Sequence, residues 1–184
     1  MLHIETAKVP VEIKLMLSAP KASYSHVSIR HVELRCGQPA RKVHEKLLAS
    51  IPRLSPRLVQ MLRSGDLASV EKERRDGPPL WLFEVRDMGS LLAMEGVSPT
   101  VYQYEIGNPL TAESMIRYQL SAALYAPLRV ILYDDAKGCV FAFDQPSDFL
   151  GQFGDDEVTD IGHSLDGALE HALQSAMSAA ALNG

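Results

Sequence analysis

Three carboxylates and one arginine stand at or near the ends of strand-like runs. Asp87 closes "LWLFEVRD", Glu105 lies in "PTVYQYEIGNP", Arg129 follows the first residue of "LRVILYDD" and Asp144 lies near the end of "CVFAFDQ". Carboxylates so placed can serve as general acid or base once burial raises their affinity for a proton, with an arginine balancing the charge. A second chemistry uses the same groups as anchors for a ligand. Asn108, between Gly107 and Pro109, adds an amide, and Met115, Tyr118 and Tyr125 on the run "TAESMIRYQLSAALYA" add apolar wall with polar tips. That mixture suits an apolar molecule with one polar handle. Each residue also has a purely structural role open to it. Asparagine before proline bonds its own turn, an arginine beside carboxylates completes an ion pair, and Met and Tyr fill cores. The candidate ligand set is Asp87, Glu105, Asn108, Met115, Tyr118, Arg129 and Asp144, and no residue is singled out as catalytic.

Other chemistries lack their residues. Cys36 precedes a Gly37-Gln38-Pro39 turn and a helix start, which would favour a thiolate, but no base accompanies it. Cys139 reads as core. Six histidines are scattered; His26 and His31 lie on opposite faces of a regular strand, and His163 and His171 are too far apart for one helical turn. There is no HExxH, paired CxxC, EF-hand loop, GxGxxG, GxxxxGK[ST] or GxSxG. Neither a metal nor a cofactor is expected.

The composition, 46% hydrophobic and 22% charged over 184 residues, is that of a globular chain with one core. No stretch approaches the about 20 uninterrupted apolar residues of a membrane helix. Glu5, Lys8, Glu12 and Lys14 interrupt the opening segment, which therefore lacks the apolar block of a signal peptide. With two separate cysteines, this points to the cytoplasm. The net charge of −5 hides a split: residues 1–75 hold 14 basic and 7 acidic side chains (+7), and residues 76–184 hold 4 and 16 (−12). Such a split fits halves that attract each other within one chain or across a dimer, or a nucleic-acid face. The basic residues sit among acidic ones ("VEKERRD") without interleaved aromatics, so binding of nucleic acid through residues 41–75 ranks third, behind ligand binding and catalysis.

Periodicity supplies the elements that must position these groups. "SHVSIRHVELRC" alternates with a change of parity near His31-Val32, which predicts a strand with a bulge there. "PARKVHEKLLASI" predicts a helix with Val43, Leu47, Leu48 and Ile51 inward, Pro39 near its first turn and Pro52 beyond its end. Ser55-Pro56 opens another helix, and Ser64-Gly65-Asp66 breaks it and caps the next. A strand ending at Asp87, one or two helical turns in "MGSLLAMEG" and a strand ending at Gly107 follow. Pro109 must stop the pairing, since it has no N–H to donate. A helix capped by Thr111 comes next, then a hairpin turning at Asp134–Gly138. A short helix and acidic loop lead to a closing helix, capped by Ser164, with Leu165, Leu169, Ala172, Leu173, Ala176 and Ala180 as its stripe, ending at Asn183-Gly184.

"FEVRDMGSLLAMEG", "YEIGNP", "SAALYAPLRVILYDDAKG" and "FAFDQPS" together resemble the bacterial and archaeal family known as domain of unknown function 302, over about residues 81–150. The resemblance implies an α+β fold: a single antiparallel sheet of four to six strands backed by helices, of the TATA-box-binding-protein-like class, often dimeric. It brings no activity with it. Met88, Ala126 and Asp144-Gln145 depart from the family pattern, which often has His, Leu and Asn-Asp there. The expectation is one domain over 1–184 with an added helical segment at 53–79, acting as a ligand-binding or interaction module and a homodimer, without membrane attachment.

Overall fold

A computed structural model describes residues 21–182. The reading of the opening twenty residues and the helix end at Asn183-Gly184 lie outside the described residues. Five strands form one antiparallel sheet in the order β1-β5-β4-β3-β2, as the α+β expectation requires. They are β1 (His31–Cys36), β2 (Trp81–Asp87), β3 (Val101–Gly107), β4 (Leu128–Asp135) and β5 (Gly138–Asp144).

Alternation decides which side of each strand is buried. Val32, Leu34 and Cys36 of β1, Tyr104 and Ile106 of β3, Val130 and Leu132 of β4, and Phe141 and Phe143 of β5 belong to one apolar cluster. Helices α1 (Ala40–Ser50) and α6 (Asp156–Leu182) contribute Val43, Leu47, Leu169 and Leu173 to it. The opposite face carries Glu33, Arg35, Gln103, Glu105, Ile131 and Tyr133, and also the buried Val140 and Ala142 of β5. Burying apolar area of this kind is worth about 25 cal/mol per Å², which is what selects the register.

Several expectations are corrected. β1 begins at His31 and pairs with β5 in unbroken register from His31↔Asp144 to Cys36↔Cys139, so no bulge lies at His31-Val32. The parity change marks where the chain joins the sheet. Just before it, Arg30 is held by Asp148, whose Oδ2 accepts from the Arg30 backbone N at 2.7 Å and from Nε at 2.8 Å. The irregularity lies instead in β2, between Leu82 and Glu84. Leu48 is exposed, while Val43, Leu47 and Ile51 are buried as predicted. The helix after Pro109 is α4 (Pro109–Tyr118), capped by Asn108 and not Thr111; a 3-10 turn over Leu120–Tyr125 follows it. Nor does Ser164 cap the last helix: it sits inside α6 and donates to Asp160 O at 3.0 Å. Asp155 does the capping, accepting from Val158 N at 3.0 Å. Gly162 does not interrupt this helix, because it is a point of close approach. A Cβ there would lie 2.8 Å from Ser147 Cα in α5 (Pro146–Gly151).

Helices α2 (Pro56–Ser64) and α3 (Leu67–Asp76) start as the sequence predicts. Ser55 Oγ accepts from Arg57 N and Asp66 Oδ1 from Ser69 N, both at 3.2 Å, and Gly65 takes φ +69° between them. Their Leu58 and Val70 join Trp81 and Leu110 in a second, smaller apolar cluster beside β2. Three ion pairs join the basic and acidic halves within the chain: Arg30 with Asp148, Arg35 with Asp135 and Arg74 with Glu113. Among the described residues no helix is long and apolar enough to cross a membrane.

Candidate functional site

The seven candidate residues do not share one site. Asp87 ends β2, where its Oδ1 accepts from Ser90 N at 3.2 Å and so starts the 3-10 turn of Gly89–Glu95. Asn108 is fully engaged in the backbone. Its Oδ1 accepts from Leu110 N at 2.9 Å, and its Nδ2 donates to Pro79 O at 3.2 Å and Pro78 O at 3.4 Å. Met115 is a core residue, 2% exposed, and Tyr118 is on the surface, 53% exposed. The cavity between Met115, Asn108, Phe83 and Pro127 measures about 20 Å³, room for about one water molecule. The pocket expected around Met115 and Tyr118 is filled by packing.

Glu105, Arg129 and Asp144 lie on the polar face of three neighbouring strands, opposite the main apolar cluster. Glu105 and Arg129 are register partners, yet Glu105 turns to Arg86 on β2, at 2.8 Å. Asp144 turns to His31 on β1, its Oδ1 3.0 Å from Nδ1. Arg129 is therefore left between two carboxylates that are both engaged elsewhere, and its side chain forms no hydrogen bond or ion pair among the described residues. Beside it opens a hollow of about 200 Å³. Its walls are Ile29, Leu124, Tyr125, Pro127 and Phe149, with Arg129 and Asp144 on its polar edge.

Local sequence explains these walls. The chain leaves α4 in a 3-10 turn, on which Leu124 stays outside while Tyr125 folds in, and enters β4 through the cis Ala126–Pro127 bond. Tyr125 stacks on Phe149 of α5 at 4.8 Å between ring centres, and its hydroxyl accepts from Gln152 Nε2 at 2.8 Å. Gly162 lets α5 lie close on α6, which sets Phe149 in place. The expected helical excursion thus supplies Tyr125 but neither Met115 nor Tyr118. Leu124 and Phe149 were missed. Leu120 and Leu124, four apart and 78% and 80% exposed, carried a signal: an apolar pair on the outer side of a turn whose inner side is core.

A carboxylate acting as acid or base needs an enclosed, apolar setting. Glu105, ion-paired, and Asp144, hydrogen-bonded to His31, have side chains 27% and 59% exposed, and Asp87 lies at an open strand end. A wider groove, about 470 Å³ between the end of α1, Pro78-Pro79 and α6, offers only His171 among its lining residues as a titratable side chain. Among the described residues no group of three or more His, Cys, Asp or Glu could hold a metal ion.

Comparison with known proteins agrees with this architecture. The crystal structure of an uncharacterized conserved protein DUF302 from Bacillus stearothermophilus has a similar fold, with a TM-score of 0.58 at 14% identity. The similarity covers 79% of this chain and 97% of that one. No curated protein matches. The family model described as "Domain of unknown function DUF302" matches residues 78–176, from the prolines that receive Asn108 into α6. β1 and helices α1–α3 precede that span, while the turn at Asn108 and the edge formed by Arg129 and Asp144 fall within it. With more than half its length matched, this chain belongs to the DUF302 family.

Proposed function

We propose that the protein binds a small molecule with an apolar body and one anionic group, most simply an aromatic or short-chain carboxylate, in the hollow beside Arg129. The observation that carries this reading is the unpaired guanidinium on an apolar wall. Arginine's planar fork matches a carboxylate in two parallel hydrogen bonds, and a free arginine at the edge of a concavity offers that fork without first breaking an ion pair. Tyr125, Phe149 and Leu124 supply the surface on which a ring or short chain would lie. The hollow is smaller than the about 300–1,000 Å³ of drug-sized sites, which favours a compact ligand. Residence in the cytoplasm, with Cys36 and Cys139 as free thiols, belongs to the same proposal.

Titration with 1-naphthoate and with its neutral amide, followed by calorimetry, tests it. The carboxylate should bind and the amide should bind more weakly. Arg129→Ala should weaken carboxylate binding about 10- to 100-fold, the range of a charge-assisted hydrogen bond. Equal binding to wild type and Arg129→Ala would end the proposal.

A second reading, a homodimer through the polar face of the sheet, has its own observation. Ile131 and Tyr133 lie there between groups of both signs: Glu33, Arg35 and Asp135 on one side, Arg86 and Glu105 on the other. A two-fold contact needs a surface complementary to itself, and alternating signs around an apolar strip supply one. Sedimentation of the wild type and of Ile131→Asp tests it: a dimer that the substitution dissociates supports the reading, and a wild-type monomer at high concentration removes it.

A further inference from the structure

The chain has two cysteines, 103 residues apart in sequence, and the sheet places them face to face. Cys36 and Cys139 are partners in the last rung of the β1–β5 pairing, with their sulfur atoms 3.3 Å apart. Directly opposed residues of an antiparallel pair have Cα atoms about 4.5–5.5 Å apart, inside the about 4.4–6.8 Å that a disulfide spans. Joining them therefore requires rotation about side-chain bonds and no shift of backbone.

The surroundings hold the rung together. Gly138, at φ +138°, brings β5 so close to β1 that a Cβ on it would stand 2.1 Å from Cys36 O. Next to Cys139 in register is Asp134 of β4, whose Oδ1 accepts from Ala40 N at 2.6 Å and so ties the start of α1 to the same place. The two thiols differ in access: Cys36 is half-buried, while Cys139 is 1% exposed. Burial, with Cys36 and then Asp134 and Asp135 nearby, pushes the Cys139 thiol up.

We infer that Cys36 and Cys139 are a site of reversible oxidation, forming an intramolecular disulfide with a low-molecular-weight disulfide as oxidant. The Cys36 sulfur, as thiolate, attacks one sulfur of the oxidant, its S–S bond breaks, and the first thiolate leaves and takes up the proton that Cys36 released. Cys139 sulfur then attacks the Cys36 sulfur of the mixed disulfide, and the second thiolate leaves with the Cys139 proton. Two protein thiols are oxidised and one small disulfide is reduced to two thiols. The product staples edge strand β1 to β5.

The full chain, reduced and freed of reductant, is incubated with oxidised glutathione, quenched by alkylation and analysed by intact mass and peptide mapping. The expected product is a monomer lighter by two hydrogens, without glutathione, whose map links the Cys36 and Cys139 peptides. Closing a loop of this length should raise its Tm by about 5–10 °C, and dithiothreitol should reverse the rise. In Cys139→Ala the mixed disulfide on Cys36 should accumulate for want of a resolving thiol. Glutathione retained on wild-type Cys36, a link between two chains, or both thiols still open to alkylation after prolonged exposure would each overturn the inference. The wild-type map decides it even should Cys139→Ala fail to fold.

Discussion

Asn108 and Arg129 stand at the same end of neighbouring strands, and their sequence contexts look equally suggestive. The structure treats them in opposite ways. Every polar atom of the Asn108 side chain meets backbone: one oxygen stops α4 from fraying, and one nitrogen collects the carbonyls of Pro78 and Pro79. Its chemistry is used up in holding α4 and the approach to β2 against the end of β3. Arg129 finds nothing comparable, since Arg86 has taken Glu105 and His31 has taken Asp144. A polar residue at a strand end is thus a candidate for binding only after its neighbours' partners have been assigned, and that assignment depends on strands far apart in sequence.

The contrast breaks most directly at Asn108. Asn108→Ala removes a helix cap, worth about 1 kcal/mol, and donors to two carbonyls at about 0.5–1.5 kcal/mol each, so urea unfolding should show a loss of about 2–4 kcal/mol. Carboxylate binding at Arg129 should survive in the folded fraction. Asn108→Asp sharpens the result. It keeps the cap and turns an oxygen toward the two proline carbonyls, so it should cost about 1–2 kcal/mol by the lost donor alone. Arg129→Ala should leave stability within about 0.5 kcal/mol, as surface changes without partners do, while removing the proposed ligand affinity. A stability loss at Arg129 equal to that at Asn108 would erase the distinction.

How much of this was legible in the sequence follows from the range of the interactions involved. Ser55-Pro56, Gly65 and Asp66 announced α2 and α3 because a cap is a local contact, settled within three residues. The strand ending at Gly107 and the hairpin turning at Asp134–Gly138 were legible for the same reason, since alternation and turn chemistry are also local. Thr111 and Ser164 misled because both lie inside a helix, Thr111 in the first turn of α4 and Ser164 well within α6, where a hydroxyl bonds the preceding turn or solvent as readily as it caps. The acceptors actually used, Asn108 and Asp155, stood earlier in the chain. What no local pattern could disclose was the order β1-β5-β4-β3-β2. Register across it leaves Arg129 unpaired, and it lays Cys36 on Cys139 across the sheet. The bulge predicted at His31 failed for the same reason: the parity change was set by Asp148, more than a hundred residues away.

The same rule extends to a third polar group whose engagement is intermediate. His44 of α1 lies flat against Tyr102, with ring centres 4.0 Å apart, and its Nδ1 is 2.8 Å from the hydroxyl of Tyr104, a fully buried residue. Burial holds the imidazole below its ordinary pKa, with Arg41 adding to that and Glu45 opposing it. Burial likewise pushes the Tyr104 phenol up, so that a protonated hydroxyl meets a neutral ring. The sign follows from linkage. The unfolded chain protonates His44 at about pH 6.5 and the folded chain does so only at lower pH, so the unfolded state binds more protons between the two values. Stability from His44 is full above pH 6.5 and declines as the pH falls toward the folded value. Comparing Tm at pH 7.5 and pH 5 in wild type and His44→Gln, which retains an acceptor for Tyr104 but does not titrate, should show a smaller drop in the variant by a few degrees. Equal drops would place His44 with Arg129, among side chains whose charge the fold leaves free.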